Sequence, residues 1–181
     1  MKSLLSATVA LALSAIPALA IDQEHTDLIT TLEERGASVY VNAPPCFMGR
    51  RVSGLYTQLK GVGPAIVVCQ DNKERTFQHA EWTANDLDTL RHEAIHYVQD
   101  CLDGTADGRE LQPVHSMVDS VTIEDIIAAM GPEKAGNIIM NYMRAGTPEA
   151  QIVNELEAFY MAEGLSAREV GEFVETACPL K

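Results

Sequence analysis

Residues 92–96 read His-Glu-Ala-Ile-His. Two histidines four apart on a helix fall on one face, so both imidazoles can turn towards one metal ion. Glu93 stands about 100° round the helix from His92, near enough to hold a water beside the metal without joining the ligands. Metal-assisted hydrolysis requires these groups. Zinc lowers the pKa of water towards ~7 and polarises a carbonyl, while a glutamate takes the water's proton and passes it to the leaving amine. The competing reading is a solvated helix face on which Glu93 and His96 are exchangeable for other polar residues.

A catalytic zinc takes three protein ligands and leaves one position for water, so a third donor must come from elsewhere. No histidine follows His96 at the spacing HExxHxxGxxH, because Gln99 and Leu102 stand where the glycine and third histidine belong. The segment Asn154-Glu155-Leu156-Glu157-Ala158-Phe159-Tyr160 offers two carboxylates. Ile152, Phe159 and Ala162 lie three before, four after and seven after Glu155, which places it at the margin of an apolar stripe. An acid pointing inward needs a cation as partner. Glu157 is rotated by about 200° and reads as the more exposed of the two, so Glu155 is preferred as ligand. His79 and His115 are isolated candidates for substrate or metal contact. Tyr142 and Tyr160 are candidate oxyanion donors for which packing is the plainer role, and Tyr97 falls on the core side of its helix.

An HExxH helix followed by Asn-Glu or Glu-x-Glu-Ala on a later one resembles the gluzincins, zinc metallopeptidases of the zincin class. Their third ligand is the first glutamate of such a motif. The resemblance implies His92, His96 and Glu155 as ligands of one zinc ion and Glu93 as general base, with a peptide or protein as substrate. It also implies a small zincin-like domain in which the strand Ala65–Cys69 walls the substrate cleft, although a plain core strand fits those residues equally. Phe159 is a departure: several gluzincin families carry there an aspartate that orients a zinc-binding histidine. Asp100, Asp119 and Asp125 are the candidates to replace it.

The elements that must position these residues follow from pattern. Leu87, Leu90, Ala94, Tyr97, Val98 and Cys101 gather on one side of a helix running from Thr83 to about Cys101, with His92, Glu93, His96, Gln99 and Asp100 opposite. Thr83 with Asp86 makes a capping box, and Trp82 with Leu87 a hydrophobic staple. Further helices are predicted over 23–35, 121–130, 133–144, 148–163 and 166–176, bounded by Gly36, Gly131-Pro132, Thr147 before Pro148, and the Ser166/Glu169 box. Strands are predicted over 37–41, 62–70 and 74–79, the last two forming a hairpin. Ala65 to Cys69 is apolar throughout, as in a strand covered on both faces or an edge strand facing a cleft. Strands early and helices late make an α+β domain.

Residues 1–20 combine Lys2, an apolar stretch and the ending Ala18-Leu19-Ala20, the pattern of a signal peptide cleaved near Ala20-Ile21. The expectation is a secreted or periplasmic protein with one domain over 21–181 and no membrane span, since no segment reaches about 18 apolar residues. Four cysteines in an exported chain suggest two disulfides, for which Cys46–Cys69 and Cys101–Cys178 are the favoured pairs. Net charge is −13, and no basic patch is present to hold phosphates, which excludes nucleic acid as partner. Beside the peptidase stand two other classes: a non-catalytic zincin-like protein binding metal or another protein, and a disulfide-stapled structural domain without metal.

Overall fold

A computed structural model of the chain describes residues 21–48, 52–72, 81–102, 111–114 and 121–180. The expected signal peptide, the strand at 74–79 and the candidates His79, His115 and Asp119 lie outside these residues. The domain is α+β. In chain order come α1 (Gln23–Glu34), β1 (Ser38–Val41), a 3₁₀ turn (Pro44–Phe47), β2 (Gly54–Leu59) and β3 (Gly63–Val68). Then follow α2 (Ala84–Cys101), α3 (Ile123–Met130), α4 (Pro132–Ala145), α5 (Glu149–Gly164) and α6 (Ala167–Ala177).

The sheet order is β1-β3-β2. β3 runs parallel to β1, with Val39 opposite Ile66, and antiparallel to β2, with Tyr56 opposite Ile66. It is therefore the central strand, not an edge, and its unbroken apolar run has a plain cause. Ile66 and Val68 face the main core, while Val67 and Cys69 pack with Cys46 on the other side. The strand that lines the clefts beside α2 is instead β2. Pattern reading misses β2 because its polarity is inverted: Leu55 and Leu59 are exposed, whereas the Gln58 side chain turns in to donate to Asp100 at 2.9 Å.

One core joins α1, α2, β3, α5 and α6 through Leu28, Leu90, Val98, Ile66, Ala158 and Val170. Both favoured disulfides are present, Cys46–Cys69 and Cys101–Cys178, the second closing the end of α2 onto the residue after α6. Among the described residues no helix is long and apolar enough to cross a membrane.

The start of α2 is fixed as its sequence predicts. The Thr83 hydroxyl accepts from the Asp86 N–H and the Asp86 carboxylate accepts from the Thr83 N–H at 2.8 Å. Asp86 also takes the Asp71 N–H at 2.9 Å, so the cap holds the chain leaving β3 as well. Thr83→Ala is expected to lower stability by about 1 kcal/mol, read as a shift of the urea midpoint at unchanged slope. At α5 the helix begins one residue later than predicted, with Pro148 as N-cap instead of Thr147.

Candidate metal centre

Residues 92–96 lie in the middle of α2, buried between the sheet and α5. Helical spacing puts His92 and His96 on one face, and their Nε2 atoms lie 3.1 Å apart. From α5, Glu155 Oε2 stands 3.4 Å from each of them. His92, His96 and Glu155 are the group of donors brought together among the described residues. The sequence-predicted ligand set thus converges at one point.

The donor set fits zinc. Tetrahedral bonds of about 2.0–2.1 Å place donor atoms about 3.3–3.4 Å apart, close to the three separations here. Glu155 Oε2 is buried and makes no well-formed hydrogen bond, facing the two imidazole Nε2 atoms at 3.4 Å, a position that a metal cation among the three donors would satisfy. His92 and His96 are 9% and 5% exposed, so bulk water does little to screen this cluster.

Its electrostatics follow from that burial. Burial pushes the Glu155 carboxyl up, but His92, His96 and the Tyr142 hydroxyl together hold it well below the usual carboxylate range. Burial also disfavours the His96 imidazolium, yet Glu155 and Glu93 outweigh it and lift its pKa to about 9. A metal ion bound at these donors would displace a proton from His96 Nε2. At pH 7.5 zinc binding is expected to release about one proton, and apparent affinity to fall as pH drops below about 9. The dependence of calorimetric binding enthalpy on buffer ionisation checks this, and a value near zero contradicts it.

Glu93 is 7% exposed, lies against Gly54 of β2 and lines a cleft with His92, His96 and Glu155 without belonging to the donor set. Burial raises its pKa above that of an ordinary carboxylate; the two histidines oppose the shift and Glu155 adds to it. The Tyr56 backbone N–H engages the carboxylate, and Gly54 lies so close that a Cβ there would meet Glu93 Oε1 at 2.6 Å. A cleft of about 300 Å³ lined by Gly54, Asp88, His92, Glu93, Tyr142 and Phe159 opens beside it. An adjoining one of about 180 Å³ reaches Leu55, Tyr56, His96, Leu111 and Glu155.

Several expectations are corrected. Glu157 is not exposed: at 1% exposure it is a core residue, accepting from Gln99 Nε2 at 2.8 Å and the Val114 N–H at 2.6 Å. α5 is covered on that side by residues 111–114, a segment without periodic signal. Among the described residues Asp100 accepts from the Tyr56 hydroxyl and from Gln58, while Asp125 serves the Thr122 cap. The group on His96 Nδ1 is the Gln99 amide oxygen, at 2.7 Å. Phe159 lays its ring against His92, with centroids 4.4 Å apart, and His92 Nδ1 has no partner. Tyr142, for which packing was the plainer role, reaches the Glu155 carboxylate; burial and that charge push its hydroxyl up, so it stays protonated. Tyr160 lines a separate apolar cavity with Ile126 and Phe173.

Comparison of the chain with protein-family models, curated proteins and solved structures finds no match. The reading of this centre therefore rests on its own donor atoms, their spacing and the carboxylate beside them.

Proposed function

We propose that the protein is an exported zinc-dependent peptidase of gluzincin type, with His92, His96 and Glu155 as ligands and Glu93 as general base. The observation that carries the reading is the division of labour between two buried carboxylates. Glu155 meets both imidazole Nε2 atoms at 3.4 Å, while Glu93, next to His92 in the chain, faces the cleft instead. A module that only holds metal needs the first carboxylate and has no use for the second.

Zinc bound at this donor set supplies a Lewis acid that acidifies water and polarises a carbonyl. Glu93 accepts the proton of the attacking water and delivers it to the leaving amine, a task suited to a carboxylate whose pKa burial has raised. Tyr142, protonated and lining both clefts, supplies one O–H, which turns from Glu155 to donate towards oxygen that gains charge during the reaction. Among the described residues β2 is an edge strand whose Gly54, Leu55 and Tyr56 line the cleft, a wall suited to an extended peptide. Two disulfides and the pattern at residues 1–20 support an exported location.

Metal analysis of the purified protein tests the reading. A single zinc per chain, lost in His96→Ala and Glu155→Ala together with hydrolysis of a casein-type substrate, is the expected result. A metal-free protein that remains metal-free after zinc dialysis sinks it.

A further inference from the structure

The hydrogen bonds around Gln99 determine more than its own position. Gln99 is fully buried on α2, one turn after His96. Its Nε2 lies 3.0 Å from the Asn154 carbonyl oxygen and 2.8 Å from Glu157 Oε2. A carbonyl and a carboxylate only accept, so that end of the amide must be the NH₂ group; the flipped amide would set oxygen against oxygen twice. The other end is then the carbonyl oxygen, 2.7 Å from His96 Nδ1. An amide oxygen only accepts, so Nδ1 carries the hydrogen. In the neutral ring this leaves the lone pair on Nε2, the atom that faces His92 and Glu155.

We propose that Gln99 and Glu157 are positioning residues of the metal centre, Glu157 locking the Gln99 amide so that it holds His96 with its Nε2 lone pair turned to the metal. The proposal rests on the zinc-centre reading and extends it to two residues that touch neither metal nor substrate. The acid acts on His96 alone, two residues after Glu155 and through an amide; His92, against which Phe159 packs, has no partner on Nδ1. The same groups hold the cleft wall. Glu157 binds the Val114 N–H, Asn154 Nδ2 donates to the Leu111 carbonyl at 2.9 Å, and the Gln112 N–H donates to the Gln99 carbonyl at 2.9 Å. Leu111 lines the smaller cleft beside His96. Ligand orientation and the placing of residues 111–114 thus share one buried network.

Gln99→Met keeps the side-chain length and removes both ends of the amide, Gln99→Asn withdraws the amide by one methylene, and Glu157→Leu removes the lock. Zinc affinity by competition with a chelating dye, the visible spectrum of the cobalt-substituted protein, and thermal unfolding are measured on each. The expected result is a 10–100-fold loss of zinc affinity with an altered cobalt spectrum in Gln99→Met and Glu157→Leu, and a smaller loss in Gln99→Asn. Asp100→Asn is the control: it is equally buried on the same helix, bonded to Tyr56 and Gln58, and is expected to lose stability while keeping zinc affinity. Wild-type affinity in the Gln99 and Glu157 variants, or an equal affinity loss in Asp100→Asn, overturns the positioning role while leaving the zinc centre intact. A wild-type protein that binds no zinc overturns both.

Discussion

Glu93→Gln is expected to lower peptide hydrolysis by about 10²–10⁴-fold while the bound zinc stays in place. The amide has the shape of the carboxylate and can still meet the Tyr56 N–H, but it cannot accept a proton from water. Zinc is retained because the converging donors are His92, His96 and Glu155, and Glu93 is not among them. The variant is also expected to be at least as stable as wild type at neutral pH. Burial penalises the Glu93 charge, which raises its pKa, and a neutral isostere removes that penalty. The pH profile carries a further mark. A base must be deprotonated, so wild-type kcat/KM falls on acidification through a pKa above the usual glutamate value, and that limb should vanish in the residual activity of Glu93→Gln. An active Glu93→Gln enzyme assigns the base elsewhere. A wild-type protein that holds zinc without hydrolysing casein-type substrates instead places it among metal-binding modules.

The helix that bears His92, Glu93 and His96 was legible in the sequence because local signals agree along it: the Thr83/Asp86 box, apolar residues at helical spacing, and a histidine pair at i and i+4. Both disulfide pairings were legible as well, since each joins segments that the element order brings together. Burial was read less well wherever it depends on non-periodic chain. Glu157 reads as exposed on a helical wheel because a wheel assumes solvent opposite the core, whereas residues 111–114 cover that face and supply an N–H to the carboxylate. Gln99 and Asp100 were placed on the polar side of α2 together with the ligands, yet both are fully buried, each satisfied by hydrogen bonds. β2 was missed for a related reason: its inward residues Tyr56 and Gln58 bind a buried carboxylate while its leucines face outward. Where a core is held by polar pairs, hydrophobic periodicity has nothing to report.

Gly54 had no such signal at all, being one of twelve glycines, and it is the residue at which a single methyl group should do most harm. A Cβ at this position would sit 2.5 Å from Thr89 Cγ2, 2.6 Å from Glu93 Oε1 and 2.9 Å from Glu93 Cγ. Thr89 cannot readily turn aside, because its hydroxyl donates to the Asn85 carbonyl at 2.8 Å. β2 is held in register against β3 from Gly54 to Leu59, which resists movement of the strand. The Glu93 side chain is left to yield, and misplacing a catalytic group by about 1 Å costs on the order of 10²-fold in rate. Gly54→Ala is therefore expected to reduce kcat about 100-fold with zinc content unchanged, at an overpacking cost of about 1–3 kcal/mol in stability. Gly61→Ala makes the useful contrast. That glycine has a φ of +80° but open space around it, so its substitution strains the β2–β3 turn at the far end of β2 from Gly54 and should lower stability without moving kcat. If Gly54→Ala retains full activity, the close approach of β2 is not what aims Glu93 into the cleft.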